Sequence, residues 1–401
     1  MSKIDELIKE FCPNGVKFLQ LGDVAQILNG YSFKSGKYSE SGIRVVRISD
    51  VQKGKMSDKD LKFYPLEYEA EISRYLLREN DLVMSLTGNV GRVAMLSKTD
   101  LPAGLNQRVA CIRPSEIVLT RWLFHFLDTD TFESDAMKNS TGGGQKNMST
   151  MWLSKYKIPV PPLEVQKEIV NILDKFTQLE AELSAELEAR RKQYEYYSSK
   201  LFKFSDEVDV IELKNIADFS QGIQVDPSKQ LTVKNDGYVR FLRIVDFVKE
   251  NEPPRYITNP GPRYIKKDGD LVMIRYGASA AGRVFINFSG AIANNMFQIK
   301  LKSPDINTKY LYYFLAQPSI YRNLNSNGGG STMPAITFSQ VGAVRIPVPS
   351  IEEQLKIVSI FEKFDALTTS LTEGLPAEII TRRKQYDYYR TKLLTFQESP
   401  A

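Results

Sequence analysis

One octapeptide that occurs twice constrains this chain more than any other feature. Arg190-Arg191-Lys192-Gln193-Tyr194-Glu195-Tyr196-Tyr197 recurs as Arg382-Arg383-Lys384-Gln385-Tyr386-Asp387-Tyr388-Tyr389, with one Glu-to-Asp difference. Upstream, Ile158-Pro159-Val160-Pro161 recurs as Ile346-Pro347-Val348-Pro349. The copies stand 188 residues apart at the first match and 192 at the second, so the later copy carries four extra residues. Self-similarity at a fixed spacing marks a duplicated unit. The 401 residues therefore read as two copies of a unit of about 190.

Fainter echoes extend the repeat. Asp81-Leu82-Val83-Met84 matches Asp270-Leu271-Val272-Met273, and Gly91-Arg92-Val93 matches Gly282-Arg283-Val284. Arg44-Val45-Val46-Arg47-Ile48 matches Arg240-Phe241-Leu242-Arg243-Ile244. The predicted order is a globular domain over residues 1–157, a helix over 158–204, a second globular domain over 205–345 and a second helix over 346–401. Short apolar runs between Gly, Asn and Ser turns predict strands in both globular parts. Short helices are expected around Arg121–Leu127 and Tyr310–Leu315. Most polar residues differ between the copies, as they would in two reading heads for different targets.

The repeated segments carry the signature of long helices. Pro159, Pro161 and Pro162 suit a helix start, where proline is tolerated. Beyond them Ile169, Ile172, Phe176, Leu179, Leu183 and Leu187 step by three or four residues. Ile357, Ile360, Phe364, Leu367, Leu371 and Leu375 repeat the same steps. Such a seam needs a partner helix. A partner could be another protein, but two matched seams in one chain favour an internal pair. Gly374 and Pro376, beside the four-residue insertion, predict a break in the second helix. The expected fold class is α+β, with two similar globular domains separated by two long antiparallel helices in an intramolecular coiled coil, a pseudo-two-fold internal repeat.

Composition removes several chemistries. With His125 the sole histidine, no histidine pair can ligate zinc. Cys12 and Cys111 form no CxxC, and two thiols in a chain this long suit a reducing compartment. Without an apolar run of 18 residues or an apolar signal core, the expectation is a cytoplasmic protein with no membrane partner and no metal. Gly30 to Lys37 imitates a phosphate loop but is one residue too long and continues into Tyr38 instead of Ser or Thr. Asp128, Asp130, Glu133 and Asp135 lack the glycine of a calcium loop. No dinucleotide loop, methyltransferase box or nuclease motif occurs, so the chain reads as a binder and not as an enzyme.

Charge points to what it binds. Residues 17–157 hold 20 Lys and Arg against 16 Asp and Glu, and residues 205–345 hold 17 against 13. All the positive excess therefore lies in the globular domains, which suits phosphate contact, although a solvated face accounts for it too. Arg44, Arg47, Arg240 and Arg243 stand on predicted strands at i, i+3, a spacing that splits each pair between faces and leaves one member structural. The Gly-rich stretches ending in Gln145-Lys146-Asn147 and Ser331-Thr332 combine close backbone approach with short polar donors. A plain flexible connection is the competing account. Asn106-Gln107-Arg108, Asn294-Asn295 and Arg275 complete the DNA-binding candidates, with ordinary turns weighing more at the Asn clusters.

At Ile158-Pro-Val-Pro-Pro-Leu-Glu-Val-Gln166, its second copy at 346–354, and Gly142-Gly-Gly-Gln-Lys-Asn-Met-Ser149, the chain resembles the DNA-specificity subunits of type I restriction–modification systems. That resemblance implies two target-recognition domains, each reading half of a bipartite site in double-stranded DNA. It implies helices that set the spacing and dock two methyltransferase (modification) subunits, with restriction/translocase subunits joining outside. Catalysis, S-adenosylmethionine, ATP and Mg would belong to those partners, with no cofactor in this chain. The second copy has Pro-Ser-Ile where the first has Pro-Pro-Leu, so the ruler is expected to be asymmetric. A duplicated coiled-coil scaffold that joins other proteins without binding DNA is the alternative.

Overall fold

The structure is a computed structural model that describes residues 3–249, 252–277, 281–326, 335–369 and 374–400. It divides into two compact units, Met1–Glu182 with Ile379–Ala401, and Leu183–Glu378. Among the described residues no helix is long and apolar enough to cross a membrane.

In the first unit a four-stranded antiparallel sheet runs in the order Ala25–Asn29, Val109–Pro114, Leu82–Ser85, Val93–Met95. Cys111 lies opposite both Leu28 and Val83. The two-residue period of the strands sorts their apolar side chains onto two faces. Leu82, Met84, Ala110 and Ile112 join the cluster around Trp122 of the helix Thr120–Leu127. Val83, Val109 and Cys111 join Val46 and Leu105 from a smaller sheet. That sheet has the order Phe63–Tyr64, Ile43–Val46, Ala103–Leu105, with its last pair parallel. A central sheet covered on both faces explains why these strands are almost wholly apolar.

The second unit repeats the plan. Its antiparallel sheet runs Ala217–Gln221, Met296–Leu301, Leu271–Ile274, Val284–Phe285, and one face packs on the helix Thr308–Leu315. The other face meets a sheet of Arg255–Thr258, Tyr238–Leu242, Gly290–Ile292 and Ile265–Lys266.

The repeated Ile-Pro-Val-Pro motif carries a buried clasp. Gln166 is fully buried; its Oε1 accepts from Leu119 N at 2.8 Å, and its Nε2 donates to Ile117 O at 2.9 Å and Pro161 O at 2.8 Å. Gln354 does the same with Asn307 N, Asp305 O and Pro349 O at 2.8, 2.8 and 2.9 Å. Each glutamine fills donors and acceptors left open at a helix start and locks the long helix to its own unit.

The central helix Leu163–Lys200 is continuous, whereas its twin is two helices, Ile351–Thr368 and Gly374–Leu394. The break falls where Gly374 and Pro376 predict it. At φ +79° Gly374 stands where a Cβ would lie 2.4 Å from Ala366 O, so only glycine fits. Within the first unit the helices run antiparallel: Phe176 stacks on Tyr389 at 5.5 Å while Glu180 pairs with Arg383 at 2.6 Å. Within the second, Tyr194 and Tyr197 meet Phe364 at 5.9 and 5.8 Å, and Phe202 stacks on Phe361 at 5.6 Å. Ile169, Ile357 and Leu375 are buried; Ile172, Phe176, Leu179, Leu183, Leu187, Ile360, Phe364 and Leu367 are half-buried. Leu371 lies outside the described residues.

Candidate nucleic-acid interface

In each unit a single residue at one end of the four-stranded sheet joins two segments, and in the first unit both segments carry candidate residues. In the first unit Leu86 N donates to Arg108 O at 2.9 Å, and Leu86 O accepts from Met148 N at 2.8 Å. The turn Asn106-Gln107-Arg108 and the segment Gln145-Lys146-Asn147 are thereby held on either side of Leu86. In the second unit Arg275 takes that place: its N donates to Asn295 O at 2.8 Å and its O accepts from Ile336 N at 3.0 Å. These bonds are all main chain, so the side chains at this rim are not needed to build it.

The rim side chains divide into holders and presenters. Asn147 Oδ1 accepts from Thr87 Oγ1 at 2.8 Å, and Gly88 N donates to Lys146 O at 3.0 Å, which fixes the segment. Asn106 Oδ1 accepts from Arg108 N at 3.2 Å, capping its own turn. Gln107, Arg108, Gln145 and Lys146 are exposed, and among the described residues their side chains make no hydrogen bond or ion pair. Two cations and two amides at one rim form a donor set for phosphates and base edges. In the second unit Arg275 stacks beside Tyr276 at 4.8 Å and Phe338 at 5.9 Å. Gln221 Nε2 donates to Asn294 O at 3.2 Å, and Asn294 Nδ2 donates to Gln224 Oε1 at 3.4 Å. Asn295 Oδ1 is buried with no partner among the described residues. Ser331 and Thr332 lie outside the described residues.

The four strand arginines are placed differently from the i, i+3 expectation. Only Arg44 and Arg240 stand on strands; Arg47 and Arg243 come just after strand ends at Val46 and Leu242. Each of the latter braces a turn, because its main-chain N and its guanidinium both bond the carboxylate three residues on. Arg47 N and NH2 reach Asp50 at 2.8 and 3.0 Å, and Arg243 N and Nε reach Asp246 at 2.8 and 3.0 Å. Arg44 is buried, with NH1 on Asp100 at 2.5 Å and NH2 on Ser57 O at 2.7 Å. Three of the four are thus hydrogen-bonded to carboxylates, whereas the guanidinium of Arg240 forms no hydrogen bond among the described residues and lies 3.9 Å from Asp246.

His125, which offers no catalytic geometry, belongs to the helix attachment instead. Its Nε2 lies 2.7 Å from Asp174 Oδ1 and its Nδ1 3.1 Å from Tyr386 Oη. A neutral ring protonated at Nε2 satisfies both contacts. Burial holds the imidazole below its ordinary pKa, against the pull of Asp174. Nearby, burial pushes the Asp128 carboxyl up to about 6, despite its pair with Arg390 at 3.0 Å. Among the described residues no group of His, Cys, Asp and Glu is arranged to hold a metal.

The duplicated scaffold has a counterpart among known proteins. The type I restriction modification DNA specificity domain matches twice, over residues 13–189 and 205–381. The chain belongs to this family. It is 34% identical to the EcoR124I/EcoR124II specificity subunit of Escherichia coli over 61% of this chain, a match that spans 65% of that relative. It is 31% identical to a putative type I restriction enzyme specificity subunit of Haemophilus influenzae, over 73% of this chain and 76% of the relative. The S subunit of the type I restriction-modification system from M. genitalium shares the fold, with a TM-score of 0.56 at 15% identity, covering 95% of this chain and 96% of that one.

For a specificity-domain protein, the sequence alone hides several contributors to the rim. Thr87 fixes Asn147 from a hairpin 60 residues away in the chain, and Gly30 matters because a Cβ there would lie 2.2 Å from Asn106 O. Gly222 stands likewise 2.2 Å from Ala293 O. The recurrence of Gly30 and Gly222 before Tyr31 and Ile223 is the one signal that could have found them.

Proposed function

We propose that this chain is the DNA-specificity subunit of a type I restriction–modification complex. Each unit reads one half of a bipartite site in double-stranded DNA. The paired helices set the distance between the halves and dock two methyltransferase subunits. Restriction/translocase subunits join that assembly, and the chemistry, with S-adenosylmethionine, ATP and Mg, belongs to the partners. One observation carries this reading: both units build the same rim from main-chain bonds, yet present different side chains on it. A common frame with interchangeable contacts is what two independent readers of different sequences require. The outward tyrosines of the repeated octapeptide, Tyr196 and Tyr388, are 56% and 62% exposed and suit a docking role for aromatic anchors. The test exchanges residues 205–345 for the corresponding segment of another specificity subunit and maps methylation across a genome. One half-site should change and the other should stay. Change in both halves, or an unsplit site, overturns the reading.

A further inference from the structure

The smaller sheet of the second unit has an open face that its twin in the first unit closes. Phe241 and Ile257 are buried in the core, with Val239 packed against it, so strand alternation turns Tyr238 and Arg240 the other way. The strand register sets Tyr256 opposite Arg240. Lys234, Tyr238, Arg240, Tyr256, Asp268 and Phe288 line one groove over this face. The guanidinium of Arg240 stacks on the Phe288 ring, 4.2 Å from its centroid. Its nearest carboxylate oxygen among the described residues, on Asp246, is 3.9 Å away, and its Nε is buried with no partner among them.

The groove wall is held in place deliberately. Phe288 has φ +63°, a conformation a bulky residue rarely adopts. Beneath it Lys266, fully buried, donates to Phe288 O at 2.7 Å, Ile286 O at 2.8 Å and Lys267 O at 3.1 Å. A buried ammonium is thus spent on three carbonyls that shape the loop presenting Phe288. In the first unit Leu77 stands at the position of Lys266. There the guanidinium of Arg44 meets the Asp100 carboxylate at 2.5 Å, where that of Arg240 meets an aromatic ring.

We propose that this groove is a clamp for the DNA sugar–phosphate backbone, present in the second unit alone. Arg240, its plane fixed by Phe288, offers its NH edge to a phosphate; Lys234 adds a second cation, and Lys266 is a positioning residue. The proposal rests on the reading that the chain binds DNA. The test uses the chain assembled with its methyltransferase subunits and measures duplex binding from low to moderate salt. Arg240→Gln should weaken binding about tenfold, equally for the recognised site and for a duplex with a scrambled second half-site. It should also make the dependence of log K on log salt shallower by about one. Lys234→Gln, an exposed change that cannot disturb folding, should lessen the salt dependence too. Unchanged affinity and slope in both variants overturn the clamp while leaving DNA binding intact. A loss confined to the recognised site, with the slope unchanged, overturns it in favour of base contact. Failure of the unaltered complex to bind any duplex sinks the clamp and the proposed function together.

Discussion

Arg44 and Arg240 occupy the same strand position in the two units and live in opposite electrostatic settings. Arg44 is 5% exposed and locked between Asp100 and Ser57 O; Arg240 lies on an aromatic ring at the edge of a groove. Around them the frame is conserved atom by atom. Both units keep the Gln166/Gln354 clasp, the Arg47–Asp50 and Arg243–Asp246 braces, and the main-chain bonds at Leu86 and Arg275. The lesson is a division of labour. Interactions that define the fold run through the backbone or through buried glutamine and aspartate, so outward side chains can diverge without loss of architecture.

The sharpest way to break the comparison is to remove the carboxylate that closes the first unit. Asp100→Ala removes the buried partner of Arg44 and leaves it only the exposed Asp58 at 3.6 Å and Ser57 O, a loss that should cost about 3 kcal/mol. Phe288→Ala removes a ring that is 40% exposed and should cost about 1 kcal/mol or less. Hydrogen exchange read separately over each unit checks both; equal destabilisation would show that the two settings do not differ. The clasps should instead behave alike. Gln166→Leu and Gln354→Leu each strand a buried N–H and two carbonyls, and each should destabilise its own unit by about 2–3 kcal/mol. A large difference between them would mean that the repeat does not extend to its energetics.

Much of this organisation was legible in the chain. The seam of Ile169, Phe176 and Leu179, the break at Gly374, and the duplication itself follow from spacing, because helix periodicity and glycine geometry are local properties. The rim was half legible. Asn106–Arg108 and Gln145–Asn147 could be named as polar clusters, but their meeting through Leu86 is a tertiary fact that no local pattern encodes. The strand arginines misled for the same reason. Their i, i+3 spacing says nothing of Asp100, which lies 56 residues from Arg44 and decides its fate. Lys266 was invisible, since a lysine flanked by Lys267 and Asp268 looks like any solvated turn until the three carbonyls around it are seen.

The smallest predicted effect separates the units by pH. His125 and Tyr313 hold equivalent places on the short helices that receive the long ones, His125 against Asp174 and Tyr313 against Asp365 at 2.7 Å. His125 has a folded pKa below its ordinary 6.5, so its contribution is present above that pH and is lost as pH falls, when the unfolded chain takes up a proton first. Asp128 acts in the opposite sense. Its folded pKa of about 6 lies above the ordinary 3.8, so the folded chain takes up a proton first and gains stability as pH falls toward 4. The two responses offset each other in the first unit between pH 7 and 5, each with a slope of at most about 1.4 kcal/mol per pH unit. His125→Gln should therefore turn a nearly flat profile into one that rises on acidification, and Asp128→Asn should turn it into one that falls. The second unit has no imidazole at this place, and Asp365, raised by burial, leaves it with a rising profile of its own. Melting curves of the two variants across that range decide the matter: parallel profiles would mean that neither His125 nor Asp128 titrates as its surroundings dictate.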